Sequence, residues 1–129
     1  MEDNPGDILL VQKALEDRHI AHELHVVTDG GEALAYVARM GQPGEPPCPD
    51  VLLIDLNLTK ADGLEVLGEF RKHPACKDTP VIVISSAEAP KDSVRMNELG
   101  VARYFRKPSS LDAFLELGDV VREVSEDSA

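Results

Sequence analysis

The chain has 129 residues, 29% of them charged and 43% hydrophobic, which is the composition of one globular domain and excludes a disordered or fibrous protein. The 24 aspartates and glutamates outnumber the 13 lysines and arginines, and the net charge of −11 argues against binding to nucleic acid or to an anionic membrane. No stretch approaches the ~20 apolar residues of a membrane span and no secretory leader follows Met1, so we expect a cytoplasmic protein whose two cysteines are free thiols.

Helical and strand-like patterns alternate along the chain. Apolar residues with helical spacing predict five helices, and short apolar or β-branched runs predict four strands. In chain order these are a helix carrying Ile8, Val11 and Leu15; a strand from Leu24 to Thr28; a helix carrying Ala33, Leu34 and Val37; a strand from Val51 to Ile54; a helix carrying Leu64, Leu67 and Phe70; a strand from Val81 to Ile84; a helix carrying Val94 and Leu99; a strand from Ala102 to Arg106; and a helix carrying Leu111, Phe114, Leu115, Val121 and Val124.

This alternation is typical of an α/β fold, in which helices cover both faces of a parallel sheet. The strands from Val51 to Ile54 and from Val81 to Ile84 are apolar throughout, as expected for parallel strands that are buried on both faces. We assign residues 1–124 to a single domain and residues 125–129 to an acidic tail, which we expect to be frayed.

Polar side chains follow three of the predicted strands. Asp55, Ser85 and Lys107 come at or just after strand ends, and Glu2 and Asp3 directly precede the first helix. In doubly wound sheets ligands bind at the carboxyl ends of the strands, so we expect these groups to converge. Three neighbouring carboxylates repel one another, and a divalent cation offsets that repulsion; oxygen ligands favour Mg²⁺. An aspartate beside Mg²⁺, a lysine and a hydroxyl suits phosphoryl transfer, with Asp55 attacking phosphorus.

These motifs together resemble the receiver domain of bacterial response regulators over nearly the whole chain. Each motif alone is weak, but their order and spacing agree with the family jointly. The similar segments are the acidic pair and turn at Glu2 to Pro5, the phosphoacceptor strand at Val51 to Asn57, the turn at Asp62 and Gly63, the strand at Pro80 to Ser85, and the aromatic and Lys-Pro pair at Tyr104 to Pro108.

The resemblance implies a doubly wound, flavodoxin-like receiver fold with strand order 2-1-3-4-5. The family's first strand, an apolar run before the acidic pair, is missing from this chain. Without it two neighbouring strands lack backbone partners, so we expect upstream residues to supply it, or alternatively another chain.

Roles for the acidic residues follow from the resemblance. It implies that Asp55 accepts a phosphoryl group from a sensor histidine kinase. Asp3, Asp55 and the Asn57 backbone carbonyl are expected to bind Mg²⁺ directly, and Glu2 through water. The protein is then a phosphoacceptor with slow autodephosphorylation rather than an enzyme.

The resemblance also implies a switch. Lys107 pairs with the phosphorylated aspartate, Ser85 bonds a phosphoryl oxygen, and Tyr104 turns inward. Ser86 is an alternative to Ser85, which we favour because it directly follows the apolar run. The Lys107–Pro108 peptide is expected to be cis.

The Pro-rich loop at residues 41–49 and the opening from Asn4 to Asp7 are most similar to single-domain regulators that partner phytochrome-type histidine kinases. Phosphorylation is expected to change the face built from the fourth predicted helix, the last strand and the last helix. That face would bind a partner protein or a second copy of the chain, as a homodimer.

Two other functions stay open. The segment from Asp55 to Thr59 resembles the Asp-x-Asp-x-Thr motif of haloacid-dehalogenase phosphohydrolases, although Asn57 replaces the second aspartate. Thr59 also stands where receiver domains usually have proline. The other alternative is a receiver-like module that is never phosphorylated and acts by binding alone.

Overall fold

The fold is an α/β arrangement around a parallel sheet. The computed structural model describes residues 1–45, 47–56, 58, 62–86 and 93–127. Its helices are α1 (Pro5–Asp17), α2 (Gly30–Arg39), α3 (Gly63–Arg71), α4 (Ser93–Glu98), α5 (Leu111–Phe114) and α6 (Glu116–Asp127), its strands are β1 (Leu52–Asp55), β2 (Val81–Ser85) and β3 (Val101–Arg106), and a 3-10 turn spans Pro74–Cys76. Across the described ranges, no helix combines the length and the apolar character that crossing a membrane requires.

The three strands run parallel in the order β1-β2-β3. Every residue of β2 is buried, and its side chains alternate between two apolar layers. Val81 and Val83 pack with α2 and α3, whereas Ile82 and Ile84 pack with α1, α5 and α6. The first layer adds Val37, Val66, Leu67 and Phe70, and the second adds Val11, Leu15, Phe114 and Leu117. The prediction of a parallel sheet covered on both faces is confirmed.

The prediction of a strand from Leu24 to Thr28 is wrong. Within the described ranges this segment has no strand pairing. The Glu2 N–H donates to the Val27 carbonyl and the Asp55 N–H donates to the Met1 carbonyl, each at 3.0 Å, so Met1 and Glu2 lie between this segment and β1. The order 2-1-3-4-5 stays a prediction, with which the observed order of the three strands is consistent.

The predicted last helix is divided into α5 and α6 at Leu115. The Gly118 N–H donates to the Leu115 carbonyl at 3.1 Å, a tight turn that redirects the chain along α1. A Cβ on Gly118 would stand 2.5 Å from the Ala14 carbonyl oxygen, so only glycine allows this approach. α6 continues to Asp127, so residues 125–127 are helical in the structure. The domain boundary at residue 124 and the frayed acidic tail stay predictions.

Cys48 and Cys76 form a disulfide with a Cα–Cα distance of 5.5 Å, so the expectation of free thiols is wrong. Cys48 precedes β1 and Cys76 precedes β2. Since these adjacent parallel strands begin at the same edge of the sheet, the segments that lead into them are neighbours in space. The Thr79 hydroxyl, which donates to the Pro49 carbonyl at 3.3 Å, links the same two segments.

Removing the disulfide should lower the free energy of unfolding. The bond joins residues 28 positions apart, and the chain-entropy model gives about 3–4 kcal/mol for a loop of that length. We expect C48S and the chemically reduced wild type to unfold at the same, lower urea concentration, and C48S to be insensitive to reductant. A wild-type urea midpoint that reductant does not change would contradict this prediction.

Candidate functional site

The carboxyl ends of the three strands bring together the predicted strand-end residues. Asp55 ends β1 and is 4% exposed, and Ser85 ends β2 and is 1% exposed. Lys107 directly follows β3, where its backbone N–H donates to the Ser85 carbonyl at 2.7 Å. Ser86, the alternative to Ser85, is exposed. Buried polar side chains at Asp55 and Ser85, with the partly buried Lys107 beside them, mark this end of the sheet as the candidate site.

The turn before α1 adds two more carboxylates. Asn4 caps the helix, since its Oδ1 accepts hydrogen bonds from the N–H groups of Gly6 at 2.9 Å and Asp7 at 3.1 Å. Because Asn4 fills the capping role, Asp3 is not needed for it. Carboxylate oxygens of Glu2, Asp3 and Asp55 all lie within 4.8 Å of one another. The predicted convergence of the acidic pair with Asp55 is present.

The Lys107 ammonium contacts three carboxylates. Its Nζ donates to Asp55 Oδ2 and to Asp7 Oδ2, each at 2.7 Å. Glu2 Oε2 lies 2.9 Å from the same nitrogen in a charge contact without hydrogen-bond geometry. Burial lowers the pKa of Lys107, but its contacts with the carboxylates of Asp55, Asp7 and Glu2 outweigh that effect and raise the pKa above its usual value. The lysine therefore stays charged.

The Lys107–Pro108 peptide is trans, so the expectation of a cis bond is wrong. The trans form is the lower in energy for an X–Pro bond. Lys107 reaches Asp55 Oδ2 at 2.7 Å from this trans backbone.

Asp7 is the site residue that the sequence analysis missed. It lies in the first turn of α1, one helical turn after Asp3. Helical side chains lean toward the N-terminus of their helix, and this end of α1 faces the strand ends. That direction is the signal that could have identified Asp7.

Glu2 has the properties of a cation ligand. Its Oε1 accepts a hydrogen bond from the Asn4 N–H at 3.1 Å, but its Oε2 is buried and, within the described ranges, makes no hydrogen bond. Burial raises the pKa of Glu2, because it disfavours the charged form more than Lys107 favours it. A buried carboxylate oxygen that lacks a hydrogen bond, next to two further carboxylates, fits a divalent cation. Glu2, Asp3 and Asp55 would hold it.

The sequence analysis predicts two further site residues, Asn57 and Tyr104. Asn57, the expected ligand through its backbone carbonyl, lies outside the described residues. Tyr104 lies on β3 opposite Val83, half-buried against the core layer that includes α3 and α4.

Comparison with known proteins identifies the family of the chain. The model of the family described as "Response regulator receiver domain" matches residues 1–117. The response regulator Rcp1 of Synechocystis sp. is 38% identical over 111 residues, which cover 86% of this chain and 76% of Rcp1.

Solved structures agree in fold. The phosphorylated cyanobacterial phytochrome response regulator RcpA has a TM-score of 0.83 at 36% identity, covering 100% of this chain and 92% of that one. The Mn²⁺-bound form of Rcp1 has a TM-score of 0.80 at 34% identity, covering 95% of this chain and 88% of that one. These likenesses confirm the flavodoxin-like receiver fold that the motifs predict.

Replacing Glu2 by glutamine should stabilise the protein when divalent cations are removed. The raised pKa of Glu2 means that its ionised form opposes folding at neutral pH. We expect E2Q to raise the free energy of unfolding in EDTA at pH 7 by on the order of 1 kcal/mol. The exposed residue Glu16 provides the control variant, E16Q, which should leave stability unchanged.

The pH dependence of stability has a definite sign. The folded pKa of Glu2 lies above its unfolded value of 4.5, so the folded state binds more protons and stability from this group falls as the pH rises through that folded pKa. E2Q should remove this part of the slope in urea unfolding experiments across pH in EDTA. Lower stability of E2Q than of the wild type at pH 7 would show the argument to be wrong.

Proposed function

Because the chain belongs to the family of response regulator receiver domains, we propose that Asp55 accepts a phosphoryl group from a sensor histidine kinase. Membership in the family confirms the resemblance read from the motifs and favours this function over a phosphohydrolase or a module that only binds. Receiver domains are phosphoacceptors rather than enzymes that turn over a free substrate. The observation that carries the proposal is the Asp55 carboxylate, buried beside Glu2 and Asp3 and 2.7 Å from the Lys107 ammonium.

The proposed transfer is a displacement at phosphorus. An Asp55 carboxylate oxygen forms a bond to phosphorus as the bond from phosphorus to the donor imidazole nitrogen breaks, and the imidazole keeps that electron pair. Lys107 offsets negative charge beside the acceptor oxygen. When Mg²⁺ is held by Glu2, Asp3 and Asp55, it offsets charge on the phosphoryl oxygens. Slow hydrolysis would return the unphosphorylated protein: water attacks the phosphorus, the bond between phosphorus and the Asp55 oxygen breaks, and inorganic phosphate leaves.

Phosphorylation is proposed to act as a switch on partner binding. The Ser85 hydroxyl would donate to a phosphoryl oxygen, and Tyr104 would turn inward as the segment after β2 moves. Tyr104 lies on β3, so the change would reach the face formed by α4, β3 and the last predicted helix, which comprises α5 and α6. That face would bind a partner protein or a second copy of the chain.

The partners follow from the same comparisons and from charge. RcpA is described as a phytochrome response regulator, which supports a phytochrome-type histidine kinase as the phosphodonor of this chain. The net charge of −11 supports a protein partner rather than nucleic acid. We place this signalling in the cytoplasm, where the kinase domain would present its phosphohistidine.

Replacing Asp55 by asparagine should abolish phosphorylation, because a neutral amide oxygen does not attack phosphorus as a carboxylate does. The measurement is incorporation of phosphate from acetyl phosphate with Mg²⁺, followed by intact mass and by phosphate-affinity electrophoresis. The matched control is D50N, since Asp50 is an exposed aspartate just before the same strand. D50N should be labelled like the wild type, and labelling of D55N at the wild-type rate would refute the assignment.

Replacing Lys107 by alanine should leave Mg²⁺ binding largely intact but uncouple phosphorylation of Asp55 from the conformational change. The phosphoryl group would lose the ammonium that ties it to the end of β3. We expect beryllofluoride, a phosphoryl mimic, to shift the amide NMR signals of β3 in the wild type and not in K107A. K13A, at an exposed lysine of α1, is the control. Wild-type shifts in K107A would contradict the role given to this lysine.

A further inference from the structure

The proposed function leaves one residue of the site without a role. Asp7 is not among the three carboxylates that lie close enough to share a cation, which are Glu2, Asp3 and Asp55. Its Oδ2 nevertheless accepts a hydrogen bond from Lys107 Nζ at 2.7 Å, the same length as the bond from that nitrogen to Asp55. Asp7 and Lys107 are 100 positions apart in the chain, so the fold, and not local sequence, brings them together.

The contact is enclosed. The side chain of Asp7 is 21% exposed and that of Lys107 is 14% exposed. An ammonium has three N–H donors, and two of them are fixed by Asp7 and Asp55, which lie on different elements. Charge-assisted bonds of this length are stronger than neutral ones. The lysine head is therefore clamped between α1 and the end of β1.

A lysine needs such an anchor to act at one defined place. Its four-carbon side chain carries ~2 kcal/mol of rotamer entropy, so one carboxylate partner leaves the ammonium several positions to occupy. Asp7 is well fixed, since its own backbone N–H is held by the Asn4 cap at 3.1 Å. Glu2 Oε2, 2.9 Å from the same ammonium, adds a charge contact without hydrogen-bond geometry, so the hydrogen bonds to Asp7 and Asp55 fix where the ammonium lies.

We propose that Asp7 is a positioning residue, which holds the Lys107 ammonium against the acceptor carboxylate of Asp55. This inference rests on the proposed function of Asp55 as phosphoacceptor. The effect on the rate of phosphorylation distinguishes this role from a general effect of charge, because the two predict changes in opposite directions. Loss of a negative charge alone would help an anionic phosphodonor approach, whereas loss of the anchor slows the transfer.

The test is the rate of labelling by acetyl phosphate at saturating Mg²⁺ in D7N. Asparagine has nearly the size of aspartate but lacks the charge that the ammonium bond needs. We expect the rate to fall about tenfold, which corresponds to ~1.4 kcal/mol. The matched control is D112N, because Asp112 is an exposed aspartate in the first turn of α5. D112N should react at the wild-type rate.

A double-mutant cycle with K107A shows whether Asp7 acts through the lysine. If it does, D7N has no further effect on the rate in the K107A background. An NMR signal of the Lys107 ammonium gives a second readout that does not need K107A to fold. The signal should be protected from exchange in the wild type and D112N, and lose that protection in D7N.

The outcomes separate the two claims. A wild type that takes no label from acetyl phosphate or from a histidine kinase overturns the proposed function. A labelled wild type with D7N equally fast or faster overturns only the role of Asp7. Full additivity of D7N and K107A, or an ammonium signal in D7N that stays protected, overturns it as well.

Discussion

One ammonium group faces an excess of negative charge at the carboxyl edge of the sheet. Three carboxylates contact Lys107, and Asp3 adds a fourth within reach of Glu2 and Asp55. A single positive charge offsets only part of this, and the burial of Glu2 and Asp55 makes the repulsion costly. Added positive charge would therefore reduce the repulsion among these carboxylates, and a phosphoryl group on Asp55 would increase it. The proposed cation binding and phosphorylation would both act on this imbalance.

The opposite edge of the sheet holds these charges in place. There Arg71 extends from the end of α3 and donates to the carbonyls of Leu99 at 2.7 Å, Gly100 at 3.1 Å and Cys76 at 2.9 Å. Burial lowers the pKa of Arg71, yet its bonds tie together the turns that lead into β2 and β3. The disulfide ties the segment before β1 to the same region. These cross-links join the amino ends of the strands, so the strands stay together although their carboxyl ends carry groups that repel one another.

The sequence predicts those features that depend on local pattern. An apolar run followed by a polar residue locates Asp55 and Ser85 at strand ends, and a parallel sheet then brings them together with Lys107. Contacts that depend on how distant segments pack cannot be predicted from local sequence pattern. The bond from Lys107 to Asp7 and the disulfide are of this kind. The strand predicted at Leu24 to Thr28 fails for a related reason, because strand structure belongs to a pair of segments and not to one.

The carboxylates and the ammonium of the site are enclosed, so a partner protein would be recognised by the surface next to them. β3 presents exposed arginines, Arg103 and Arg106, and within the described part of the chain it has only β2 as a strand neighbour. Charged side chains on an edge strand oppose pairing with a further strand. A partner at this face would then meet side chains rather than open backbone groups. Because Tyr104 lies between the two arginines on the same strand, a movement of this strand end would change the surface that the partner contacts.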